Sequence, residues 1–169
     1  MIDSCIGCDP GPATGLCFLD YEQGQLVGRT LLQSEGATAA YVLRDLLEIR
    51  YTGFPGGRQV GRRTGSVEKF LTGASAGSRG KNADVTRQLV MELAEVLQGY
   101  GYRVTIRTAA DVKPWGSDKR LVAAGIAPSL KGMHGDMGHA YDAARHALYG
   151  AHEAGITADP LIGVKRPAH

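Results

Sequence analysis

Apolar residues in the first third of the chain come as short runs separated by turn signals. Residues 3–8 form one run, which ends at Asp9-Pro10-Gly11. Residues 14–20 form a second, and Glu22-Gln23-Gly24-Gln25 turns the chain into a third at 25–33. Such runs joined by tight turns predict an antiparallel three-stranded meander. The period then changes. Ala40, Val42, Leu43, Leu46, Leu47 and Ile49 recur at helical spacing over 37–50, with Gly53 and Pro55 beyond the end. Val67-Glu68-Lys69-Phe70-Leu71 reads as the end of a fourth strand, followed by a Gly-rich segment over 72–81. Asn82 is placed to cap a helix running to Gln98, with Val85, Leu89, Val90, Leu93, Val96 and Leu97 on its inner face. Residues 102–107 alternate as a fifth strand. Short helices near 109–113 and 117–125 and a final helix over 137–153 follow.

Three strands, helix, strand, helix, strand, helices is the order of an α/β fold: a mixed five-stranded sheet with helices on both faces. A chain of 169 residues fits a single core, expected over 1–155, with a tail over 156–169 that holds few apolar residues. No apolar run approaches the ~20 residues of a membrane span, and the N-terminus carries no basic, cleavable leader. A cytoplasmic protein without a membrane partner is expected. Cys5 and Cys8 stand three apart in a strand, so their thiols diverge, and no second pair completes a zinc site. Buried free thiols are predicted. Net charge is only +2, so a nucleic-acid partner must be argued from position. Arg58, Arg62, Arg63, Lys69, Arg79 and Lys81 form one basic stretch, and Lys113, Lys119, Arg120 and Lys131 another.

Four residues are candidates for chemistry. Asp9 ends the first strand, where Pro10 stops ladder donation and Gly11 permits a sharp turn; its alternative role is turn capping. Glu68 sits among apolar neighbours, which places it either at a site or at a solvent-facing sheet edge. His139 and Asp142, at i and i+3, share one face of the last helix. Beside them Ala140, Ala143, Ala144 and Ala147 would let that helix lie close on the sheet and bring Asp142 towards Asp9. The alternatives are a surface residue for His139 and a surface ion pair to Arg145 or His146 for Asp142. Asp136 is a second choice for a further acid.

Taken in order, Asp9-Pro10-Gly11, Glu68 and His139-x-x-Asp142 resemble the RuvC branch of the ribonuclease H-like superfamily. The stretch from Ala110 through Val112-Lys113 to Asp118-Lys119 resembles the segment preceding the last acidic helix in RuvC-type Holliday-junction resolvases and their phage relatives. The likeness spans residues 3–150. It implies a ribonuclease H-like fold and a metal-dependent endodeoxyribonuclease that cuts four-way junctions as a homodimer. It also implies Mg²⁺, with Mn²⁺ substituting. Asp9 would bridge two metals, Glu68 and Asp142 would each complete one, and His139 would stand where some relatives have another Asp. Arg79, Lys81, Lys113 and Lys119 become candidates for DNA phosphates. Trp115 and Phe70 become candidates for stacking on bases, although Trp115 suits a hydrophobic anchor beneath its loop slightly better. Flap or fork cleavage, or a silent junction-binding module, would use the same fold. An ATP-binding fold of the actin and sugar-kinase type also shares Asp9-x-Gly11-x-x-x-Gly15, but it needs a second such domain.

Overall fold

A computed structural model of the chain describes residues 1–52, 60–69, 81–131, 133 and 135–162. Strand β1 (Ile2–Asp9) pairs antiparallel with β2 (Ala13–Glu22), which pairs antiparallel with β3 (Gln25–Glu35). Between β2 and β3, Gln23 and Gly24 both take positive φ, 51° and 81°, the two-residue turn that matches strand twist. The expected meander is therefore present. On its other side β1 pairs parallel with β4 (Val60–Glu68), and β4 pairs parallel with β5 (Arg103–Arg107), giving the order β3-β2-β1-β4-β5.

The fourth strand differs from its expected form. It runs over 60–68 and ends at Glu68, whereas Phe70 and Leu71 lie outside the described residues. It is also flanked on both sides, so the solvent-facing edge alternative for Glu68 is overturned.

Helices α1 (Gly36–Thr52) and α2 (Lys81–Gly99) cover one face of the sheet. There Leu43, Leu47, Leu93 and Leu97 pack on Ile6, Cys8, Leu16, Phe18 and Val67. Val85, expected to face inward, is 62% exposed, and Asn82 lies within α2 instead of preceding it. Short helices α3 (Ala109–Val112) and α4 (Asp118–Ala123) lead to α5 (Gly138–Glu153), which covers the opposite face. Ala143, Ala144, Ala147 and Ala151 of α5 pack there with Cys5, Cys17, Leu19 and Tyr21. Cys5 and Cys8 therefore serve opposite cores, and all three cysteines are free and buried.

Glycines on the strands set how close α5 lies. A Cβ on Gly7 would fall 1.9 Å from the Ala143 carbonyl oxygen, and one on Gly15 would fall 1.9 Å from that of His139. Only a residue without a side chain fits at either place. The chain stays packed past α5, where Ile156 is 3% exposed and Asp159 accepts two hydrogen bonds from Arg120, at 2.9 and 2.7 Å. Residues 163–169 of the expected tail lie outside the described set. No described helix is long and apolar enough to cross a membrane.

Candidate active site

Strand register brings the first two acids together. Cys8 and Val67 are partners across the parallel β1/β4 pair and both belong to the α1/α2 core. The residues that follow, Asp9 and Glu68, therefore emerge side by side on the other face, at the carboxyl ends of neighbouring strands. The turn after Asp9 is held by Thr14, whose Oγ1 donates to the Gly11 carbonyl at 2.8 Å and accepts from the Gly11 amide at 3.2 Å.

Helix α5 supplies the rest. His139 Nδ1 lies 2.7 Å from Asp9 Oδ2. One turn on, Arg145 donates to Asp142 through Nη1 and to Asp118 through Nη2. His146 is 2% exposed and is held between Glu68 Oε2 at 3.0 Å and Ser66 Oγ at 3.3 Å. The start of the helix is fixed from β3: Gln33 donates to the Asp136 carbonyl at 2.6 Å and accepts from the Ala140 amide at 3.2 Å. Asp136 itself is exposed beside the site.

His146 was not among the candidates read from the sequence. The signal was there, since 139, 142 and 146 form one helical stripe at i, i+3 and i+7. Arg145 was considered only as a surface partner of Asp142, yet its side chain is 9% exposed and it bridges two acids.

The electrostatics at Asp9 follow from this crowding. Burial pushes its carboxyl up to about 6, and the nearby charges of Glu68 and Asp142 add to the rise, against the hydrogen bond from His139. A site that raises a carboxyl through neighbouring carboxylates carries an excess of negative charge that a divalent cation would offset. Three carboxylates and an imidazole are donors of the type taken by Mg²⁺ or Mn²⁺. Among the described residues, however, no three such side chains stand together as a metal-holding group. Each acid instead has a basic partner from α5.

A cavity of about 660 Å³ opens beside the acids, lined by Lys113, Ser117, Asp118, His139, Asp142 and Arg145 among others. Lys113 and Lys119 are exposed here and on α4. Trp115 is only partly buried, but it is not presented as an open platform. His152 stacks on it at 4.6 Å with the rings 12° apart, and the Arg120 guanidinium lies 4.7 Å from its ring centroid. Arg79 and Phe70 lie outside the described residues, as does the side chain of Lys81. Arg62 and Arg63 are engaged structurally, with Arg62 bonded to Asp3 at 2.9 Å and Arg63 lying 4.2 Å over the Tyr51 ring.

No protein-family model and no curated protein sequence matches the chain. Solved structures do match. RuvC of Thermus thermophilus in complex with a Holliday junction substrate aligns with a TM-score of 0.57 at 17% identity, over 92% of this chain and 96% of that one. The chain has the RuvC fold. A second structure of Thermus thermophilus RuvC aligns with a TM-score of 0.55 at 16% identity, over 92% and 98% of the two chains. The RuvC fold is thus shared over most of the chain in both cases, and the mixed five-stranded sheet expected from the sequence is the one observed.

Proposed function

We propose that this chain is a divalent-metal-dependent endodeoxyribonuclease that cleaves four-way DNA junctions, and that it works as a homodimer. One observation carries the reading. Asp9 and Glu68 lie at the ends of neighbouring parallel strands, and α5 brings His139 onto Asp9 and Asp142 near enough for its charge to act there, within a fold shared with a junction-bound RuvC. Asp9, Glu68 and Asp142 would hold Mg²⁺ or Mn²⁺. Such ions supply Lewis-acid activation of water and stabilisation of the leaving oxygen.

The chain's own groups do the rest. With His139 Nδ1 engaged by Asp9, Nε2 is the atom left to hold a proton or complete the ligand set. Lys113, beside Asp142 on the cavity wall, and Lys119 would hold the phosphates flanking the cut. A four-way junction offers two symmetric strands, and a two-fold dimer places one site on each. Tyr41 on α1 and Val85 and Met91 on α2 are exposed, and α2 is the helix that would supply the pairing face.

The test is cleavage of a labelled four-way junction beside flap, fork and linear duplex, with Mg²⁺, Mn²⁺ or Ca²⁺. Paired nicks confined to the junction are the expected result, and cutting of flaps and forks as well would widen the reading to branched DNA. A second reading has an observation of its own. Every acid already has a basic partner, as a junction-binding module without metal would require. Tight junction binding with no cleavage in any metal would establish that reading instead.

A further inference from the structure

Arg145 is an unusual neighbour for a metal ligand. Its side chain is 9% exposed, and a guanidinium so buried needs acceptors for its donors. The loop between α3 and α4 wraps it closely: a Cβ on Gly116 would come within 3.0 Å of the Arg145 Cβ. Its fork is divided. Nη1 goes to Oδ1 of Asp142 and Nη2 goes to Oδ1 of Asp118. An arginine facing one carboxylate favours the two-pronged pairing that occupies both oxygens. Here the second prong is taken by a different residue, and Oδ2 of Asp142 stays outside the contact.

We propose that Asp118 is a positioning residue: by drawing one prong of Arg145 away, it leaves Asp142 oriented by one oxygen and open to a divalent cation through the other. The inference rests on the reading of Asp142 as a metal ligand. Asp118 also balances the arginine's charge, so that the orienting contact does not discharge Asp142. The same residue starts α4, next to Lys119. The backbone that carries a candidate phosphate contact is thereby tied to the acid it would serve.

The experiment is Mn²⁺ binding to the full chain without DNA, read from the loss of the free-ion electron paramagnetic resonance signal, with thermal unfolding of each variant alongside. Asp118→Asn is expected to weaken Mn²⁺ binding about tenfold, the scale seen when a ligand's supporting partner is lost. Asp118→Glu, which can still hold the second prong, stays within about threefold of the unmodified protein. The decisive variant is Asp118→Asn with Arg145→Gln. With no guanidinium left to occupy Asp142, binding returns to within about threefold of the starting value, a coupling that independent sites do not show. Asp118→Ser replaces the Asn variant if the latter does not fold. Undiminished binding in Asp118→Asn, or a double variant that binds no better than the single one, overturns the proposal and leaves the pair a stabilising ion network. Undiminished binding in Asp142→Asn removes the ligand reading itself, and this inference with it.

Discussion

Replacing Gly15 by Ala is the sharpest test of how this site is assembled. Gly15 is the register partner of Asp9. A Cβ there would fall 1.9 Å from the His139 carbonyl oxygen and 2.8 Å from the Ala140 amide nitrogen, where ordinary contact begins at 3.4 Å. Both obstructing atoms are backbone, so no rotamer change relieves the clash. The first turn of α5 must withdraw by about 1.5 Å. That turn carries His139, and its 2.7 Å bond to Asp9 is lost with the movement. Overpacking of this kind costs about 1–3 kcal/mol, or about 2–4 °C in Tm for each kcal/mol in a domain of this size. A displacement of about an ångström among reacting groups costs about 10²-fold in rate. Junction cleavage should therefore fall by about two orders of magnitude. Junction affinity, measured by gel shift in Ca²⁺, should stay within about threefold because the exposed lysines are untouched. Gly138→Ala is the control, since its Cβ meets nothing within 4 Å although it adjoins His139. Near-normal cleavage and Tm in Gly15→Ala would show that α5 does not lie this close, and the pairing of His139 with Asp9 would fall.

The remaining predictions concern the acids and the loop. Asp9→Asn and Asp142→Asn should each keep junction binding and lose cleavage by about two orders of magnitude or more; wild-type rates in either would remove the site assignment. Asp9 stays protonated in the native state up to about 6, above the ordinary value of 3.8 that applies when unfolded. Its contribution to stability is therefore fully present below 3.8 and is lost as the pH rises through about 6, by roughly 3 kcal/mol without divalent cation. Denaturant unfolding in EDTA should then find Asp9→Asn more stable than wild type at pH 7.5 and no more stable near pH 4; the opposite order contradicts the buried, like-charged setting. Binding of a divalent cation, which competes with the proton for Asp9, should weaken as the pH falls below about 6. Trp115→Ala should lower stability by about 0.5–3 kcal/mol with little change in junction affinity. Lys119→Ala should do the reverse, weakening binding and reducing the salt slope by about 1. A loss of affinity in Trp115→Ala without loss of Tm would restore Trp115 as a base-stacking platform.

Most of the fold was legible because its elements carry their own periodicity. The meander announces itself through short apolar runs and the turn signal over Glu22-Gln23-Gly24-Gln25, and the two longer helices on one face of the sheet through Leu43, Leu47, Leu93 and Leu97. Strand β4 was the exception. Its residues before Val67 are Val60, Gly61, Arg62, Arg63, Thr64, Gly65 and Ser66, and one apolar residue makes no pattern to read. It is a central strand all the same, because its neighbours supply the bulk. Leu97 and Val104 close over Gly65, and His146 bonds Ser66. The arginines that looked like a basic patch are held by Asp3 and by Tyr51 and Tyr100 at the strand's start. Burial of a strand through small and polar residues depends on partners distant in sequence, and no window of residues reveals it. Val85 is a further departure: it lies at the start of the helical stripe and yet stays exposed.

The three acids and His139 were legible in the sequence, Arg145 and His146 were not, and the difference has a physical cause. An isolated acid at a strand end needs a reason to be there, so Asp9 and Glu68 draw notice singly. A histidine or arginine inside an alanine-rich helix reads as surface until the packed face is known. In the fold, that face turns inward against Gly7 and Gly15, and it carries His139, Arg145 and His146 to the three acids. Helix α5 thus supplies both a candidate ligand, Asp142, and the three side chains, His139, Arg145 and His146, that engage the acids. Binding a cation here is then an exchange of partners and not the filling of an empty cage. It must displace or share His139 at Asp9, His146 at Glu68 and Arg145 at Asp142. Among the described residues the three carboxylates form no metal-holding cluster, each engaging a side chain of α5 instead, so the substitutions that test the proposal include residues that would never touch a metal.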